Sequence, residues 1–471
     1  VDRQQILRFS VGPPLAALLG FVALPITARI FPVADVGRIN IFNTFLSLSL
    51  MFLLLGMDQA YVREYHETDS KQALFKECFL PGLLLLLLCS LLLFPSSAMM
   101  ARWLYGEARP GLFLLSLLAV LFAYSGRFLS LIVRMQERGL AYSLSQVLPK
   151  LATVVLLVSY FMVKFPPTFT SLLTLNIVGL LLVVMVFGWN TRKEWLASHA
   201  ARMDSRRLKT MLGYALPLVP AGVVYWGLAA SSTIALRIYS GFSELGIYAM
   251  AMSIAGVGAI FQSVFATIWM PTVYKWNASG IDIDKKVERV RDALLSVVVM
   301  VFVLAGCFSW LLEYLLPSAY SQVKYIVICC LAQPLLFTLS ESTVVGINLT
   351  RKTHYGLLAC LLALIASVAV NIALVPAYGA RGAAVAQAAG FFVFLVARTE
   401  ASARLWRAGP RKKFYLSVLV IVCGAALTAL YGAALPVHYS IAWAALVPLV
   451  LVVFRHEYAA IWNLVKRKKT S

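Results

Sequence analysis

Charge is what this sequence has least of. Only 13% of its 471 residues are Asp, Glu, Lys or Arg, about half the share of an ordinary soluble domain. Apolar residues make up 61%, so a soluble or disordered chain is excluded and a polytopic membrane protein remains. Strand-like alternation is lacking too, which removes support for a membrane barrel. Apolar runs of roughly 20 residues recur instead. With no water in the hydrocarbon, each run must satisfy its own backbone groups and is therefore a helix.

Reactive groupings are also scarce. The seven cysteines (Cys78, Cys89, Cys307, Cys329, Cys330, Cys360 and Cys423) all fall in apolar runs, none at metal-ligand spacing, and read as core thiols. The five histidines stand apart at loops or span ends, so no zinc or nucleophile site can be assembled. A Walker motif is missing, which argues against direct ATP drive. These gaps predict a protein that is not an enzyme and holds no metal or organic cofactor. Proton or Na+ coupling stays open. The first apolar run lacks a small-residue cleavage pattern and is expected to remain as the first span.

Hydropathy and turn signals place fourteen spans, roughly 11–31, 39–60, 78–98, 111–132, 144–163, 168–189, 213–236, 246–272, 292–312, 325–346, 356–375, 381–403, 414–434 and 439–456. Basic residues outnumber acidic ones, 41 to 20, for a net charge of +21. Of the 41, 31 fall at or beyond the span ends on the N-terminal side and 8 on the other. That bias puts both termini in the cytoplasm and accounts for most of the net charge, so no nucleic-acid partner is expected. The basic tail VKRKKTS then anchors against the anionic inner leaflet.

The stretch from Tyr214 to Lys275 repeats the grammar of the N-terminus. ARIFPVADVG, with Arg29 and Asp35, echoes LRIYSGFSELG, with Arg237 and Glu244. Each half holds an even number of spans, so the repeat is parallel, about an axis along the membrane normal. The expected organisation is all-α: a bundle of spans 1–6 (residues 1–200), a pseudo-symmetric bundle of spans 7–12 (201–410), and an added pair with the basic tail (411–471). Two like halves suggest a transporter.

A charge at the bilayer centre costs about 2.5–3.5 kcal/mol on insertion scales, so each needs a reason. Arg127, Lys150 and Glu341 lie about one and a half turns inside their spans, as an inner tier. Arg29 and Arg237, at outer span ends, form a second. Aligning spans 4 and 10 puts Arg127 and Glu341 at equivalent positions, facing each other across the pseudo-two-fold. Cations outnumber acids in both tiers, a lining suited to a multiply charged anion such as a phosphate ester. The plainer alternatives stand beside this: Arg29 and Arg237 snorkelling to the outer interface, Lys150 to the cytoplasm, and Arg127 bridged permanently to Glu341. Asp58 and Arg63 read as interfacial. Ser231, Ser232 and Thr233 either line a cavity or bond their own helix.

PLVPAGVVYWGLAASSTIALRIYSGFSELGIYAMA, FATIWMPTVYKW, NIALVPAYGARGAAVAQ and the N-terminal ADVGRINIFNTFLSLSLMFLLLGMDQAYVREYHE together resemble the polysaccharide-flippase (Wzx-type, O-antigen) branch of the multidrug/oligosaccharidyl-lipid/polysaccharide exporter superfamily. The resemblance covers essentially all of spans 1–12. It implies two six-helix bundles around a cationic cavity, moving undecaprenyl-diphosphate-linked glycan to the outer leaflet of the bacterial cytoplasmic membrane by alternating access. It also implies membrane lipids, a polysaccharide polymerase and glycosyltransferases as partners. By type and location, the family's cavity cations map onto Arg29, Arg127, Lys150 and Arg237, with Glu341 as a gate latch or proton carrier. The rivals are a peptidoglycan-precursor flippase and a cation-coupled drug exporter. The latter calls for membrane-depth carboxylates in the first half, where only Asp58, at a span end, is available.

Overall fold

The structure is a computed structural model that describes residues 12–163, 166–279, 283–406, 410–435, 438–460 and 462. The VKRKKTS tail, read above as an anchor, lies outside the described residues. Every described element is helical. Packing divides the chain into two units, residues 1–226 and 227–471.

The first unit contains α1 (Gly12–Ile30), α2 (Val33–Leu54), α3 (Met57–Glu64), α4 (Lys71–Leu93), α5 (Ser97–Tyr105), α6 (Pro110–Met135), α7 (Gly139–Val163), α8 (Phe169–Asn190), α9 (Arg192–Ala200) and α10 (Ser205–Ala215). Its core is aromatic: Tyr61, Phe75, Tyr124 and Phe128 are buried and meet edge-on or tilted, the geometries that ring quadrupoles favour. The Tyr124 hydroxyl donates to the Phe79 carbonyl at 2.6 Å. Gly82 permits that approach, since a Cβ there would lie 2.4 Å from the hydroxyl. Between α2 and α3 the chain turns through Leu55 and Gly56, both at positive φ. The predicted second span is thus two helices, and Asp58 falls in the first turn of the shorter one.

The basic stretch 191–209, between the predicted sixth and seventh spans, is structured. Asp204 caps α10 by accepting from the Arg206 and Arg207 backbone N–H groups. Fully buried Glu77 accepts from Arg207 Nε (2.6 Å), Arg207 Nη2 (2.8 Å) and the Asp204 N–H (2.8 Å). Hydrogen bonding to that carboxylate holds the Arg207 guanidinium above its usual range.

The second unit begins inside α11 (Val219–Tyr239) and continues through α12 (Phe242–Ala255), α13 (Gly258–Ala278), α14 (Ile283–Phe308), α15 (Val323–Cys330), α16 (Ala332–Thr343), α17 (His354–Tyr378), α18 (Ala380–Leu405), α19 (Lys412–Tyr431) and α20 (His438–Val453), with short helical turns between. The division therefore falls at 226/227. The first turns of α11 pack within the first unit, where Trp226 Nε1 donates to Ser47 Oγ. Trp443 of α20 seats against Gly306 and Gly424, where added Cβ atoms would lie 2.3 and 3.2 Å from its ring, and its Nε1 donates to Thr428.

Among the described residues, eleven helices are long and apolar enough to cross a membrane, or twelve if the bent pair α12–α13 is one span with a 45° break. The fourteen spans expected are not all reproduced among these. The first and last predicted spans coincide with the apolar helices α1 and α20.

Candidate functional site

Arg127 stands eight residues before the end of α6, about 12 Å along the helix axis. Its Nη2 donates to Asp58 Oδ2 at 2.8 Å. Gln59 Nε2 donates to the same oxygen at 3.2 Å. The Arg127 side chain keeps 42% of its exposure, whereas that of Asp58 keeps 9%. Both line an open cavity of about 450 Å³ with Gln59, Ser47 and Gly56, all within the first unit. The buried carboxylate grips one corner of the guanidinium. Of the five N–H donors of an arginine, this hydrogen bond uses one, so most of the fork remains to bind an oxyanion bidentately.

Glu341 has its partner inside the second unit. Glu341 Oε1 accepts from Arg398 Nη1 at 2.7 Å, and the same nitrogen reaches Ser340 Oγ at 2.9 Å. Arg398 also lies over the Phe337 and Phe394 rings, 5.7 and 5.3 Å from their centroids. Arg127 and Glu341 each have an opposite charge within their own unit. Asp58, read as interfacial, is buried, and Arg398, not singled out in the sequence, is seven residues inside α18. The signal for both pairs was present in the sequence: in each half, one charge of each sign stands at a similar depth.

The other predicted cations are not gathered at this cavity. Arg29 and Lys150 are exposed, on helices α1 and α7 that pack along each other, and among the described residues neither has an ion-pair partner. Arg237 ends α11 and lies over the Phe242 ring at 4.8 Å. Arg63 lies over Tyr214 at 4.5 Å.

The hydroxyl run in α11 is buried within the second unit. Ser231 meets Ser367 at 2.9 Å. Ser232 donates to the Ala383 carbonyl and accepts from Asn371, so these groups bind neighbouring helices as well as their own. Among the described residues, no group of three His, Cys, Asp or Glu could hold a metal ion.

The model of a family described as polysaccharide biosynthesis protein matches residues 4–276, more than half of the chain. This chain belongs to the polysaccharide biosynthesis protein family. Two solved structures share its fold. A lipid II flippase, MurJ, in an inward closed conformation superposes with a TM-score of 0.69 and 12% identity, over 95% of this chain and 99% of the other. An inward-facing multidrug MATE transporter of the multidrug/oligosaccharidyl-lipid/polysaccharide exporter superfamily gives 0.55 and 14%, over 85% and 97%. No curated protein matches the chain.

Proposed function

We propose that this family member is a flippase for undecaprenyl-diphosphate-linked oligosaccharide, working by alternating access in the bacterial cytoplasmic membrane with both termini in the cytoplasm. Arg127 captures the diphosphate at the first unit's cavity, the glycan enters a hydrated space and the prenyl chain stays in lipid. Asp58 takes the role that the sequence assigned to Glu341. It holds Arg127 while the site is empty and yields contacts to the phosphate when cargo arrives, so the guanidinium is never left bare at membrane depth. Arg29, Lys150 and Arg237 serve the head group later in its passage, and glycosyltransferases and a polymerase act before and after it.

The observation that carries this reading is the exposed, singly anchored guanidinium in a cavity on a polysaccharide-family fold. The test is translocation of a fluorescent lipid-linked oligosaccharide across vesicles holding the purified protein. The wild type should flip it and Arg127→Ala should not, while keeping its fold. Transport of lipid II or of organic cations in its place would replace the proposed substrate.

A further inference from the structure

A second cavity in the first unit lies on the opposite side of α6. Ser125 and Leu129 are one turn apart on its wall, whereas Arg127 is rotated by roughly 200° from each. The two cavities share no lining residue. This one is a crevice of about 870 Å³, walled by Phe79 and Leu83 of α4, Leu129 of α6 and Val184 of α8. These side chains are apolar, on helices α4, α6 and α8 that are each long and apolar enough to span a bilayer. In that setting the medium against them is acyl chain rather than water.

The crevice has a built roof. Helix α9 folds back across it and is pinned along its length. Trp195 Nε1 donates to the Gly188 carbonyl at 2.8 Å, and Gln136 Nε2 donates to Glu194 at 2.6 Å. Lys76 Nζ donates to the carbonyls of His199 and Ala201 at 2.9 and 3.0 Å. Lys76, Arg192 and His199 line the rim, and no acidic residue lines the crevice. Exposed Trp189 stands beside them, with the Arg192 guanidinium 4.4 Å from its ring centroid. Two of the three Lys76 donors are used by carbonyls, and Arg192 uses one nitrogen on the Trp189 carbonyl, so both cations retain donors for an oxyanion. An apolar hollow with a cationic, tryptophan-bearing rim matches a lipid whose interfacial end is negative.

From these contacts we infer that the crevice is a binding site for one anionic glycerophospholipid. Its acyl chains fill the hollow, and its phosphate sits against Arg192 and Lys76 under the α9 roof. This site is separate from the cargo cavity, does not rest on the flippase reading, and ties the structured linker to the lipid composition of one leaflet.

Tryptophan quenching tests the inference with the full chain in mixed micelles. Phosphatidylglycerol or phosphatidylcholine carrying brominated acyl chains is titrated in, with Trp189→Phe and Trp195→Phe assigning the quenched signal among the chain's 10 tryptophans. The brominated phosphatidylglycerol should quench these two at about a 25-fold lower lipid fraction than the brominated phosphatidylcholine, the preference expected of two interfacial cations at about fivefold each. Arg192→Gln, which leaves the Lys76 clamp in place, should cut that preference about fivefold. Lys76→Gln should do the same if α9 stays folded, as read by its thermal transition. Equal quenching by the two lipids, or an unchanged preference in Arg192→Gln, would overturn the site. Displacement of the brominated lipid by undecaprenyl phosphate at a lower fraction than by phosphatidylglycerol would assign the crevice to a prenyl chain and reject the phospholipid.

Discussion

The two units place an Arg–carboxylate pair at similar helix depth and treat it in opposite ways. In the first, Arg127 on α6 is held by one hydrogen bond from one nitrogen, with 42% of its side chain exposed at a cavity. In the second, the matching position carries the acid, Glu341, and the arginine comes from α18. There Arg398 is closed in by Ser340, Glu341 and two phenylalanine rings, at 15% exposure. One pair leaves its donors available to a ligand, and the other spends them on the protein. The turn acids differ likewise: Asp35 pairs with Arg38 at 2.5 Å, whereas Glu244 Oε2 accepts from the Ala380 N–H that opens α18.

The comparison breaks most visibly if the closed pair is cut. Glu341→Ala strands a largely buried guanidinium and should cost about 3–5 kcal/mol, with Glu341→Gln/Arg398→Gln recovering most of it. Thermal unfolding in detergent measures both. Loss of transport without loss of stability in Glu341→Ala would move the functional charge to the second unit. Next comes the open pair. Arg127→Ala removes a charge-assisted contact to phosphate and should lower translocation about 10–100-fold. Because the buried Asp58 carboxylate then keeps only Gln59, stability should fall by about 1–3 kcal/mol. Arg127→Lys should recover only part of the transport, since an ammonium cannot make the bidentate contact.

Smaller effects sharpen the contrast between the turns. Glu244→Ala should cost about 1 kcal/mol by uncapping α18, read as a lowered thermal midpoint. Smallest of all is Lys150→Ala. This exposed side chain has no ion-pair partner among the described residues, so stability should change by about 0.5 kcal/mol or less. Translocation should fall less than in Arg127→Ala, which the same vesicle assay reads.

The fold class was legible because each span must close its own hydrogen bonds. The charges at depth were legible as individuals. Their partners were not, since pairing depends on how α3 swings after the Leu55–Gly56 break, which brings Asp58 to Arg127. Span breaks at Gly56 and Gly256 were hidden by hydropathy windows that average across them.

Binding is the most direct check on the central claim, that Arg127 in the first unit holds the phosphates of a lipid-linked glycan. Titrating undecaprenyl-diphosphate-linked oligosaccharide into the purified wild type, Arg127→Ala and the Glu341→Gln/Arg398→Gln pair separates the two units. The account requires affinity to fall at least about tenfold in Arg127→Ala and to stay at the wild-type level in the pair. Equal affinity in wild type and Arg127→Ala would contradict it.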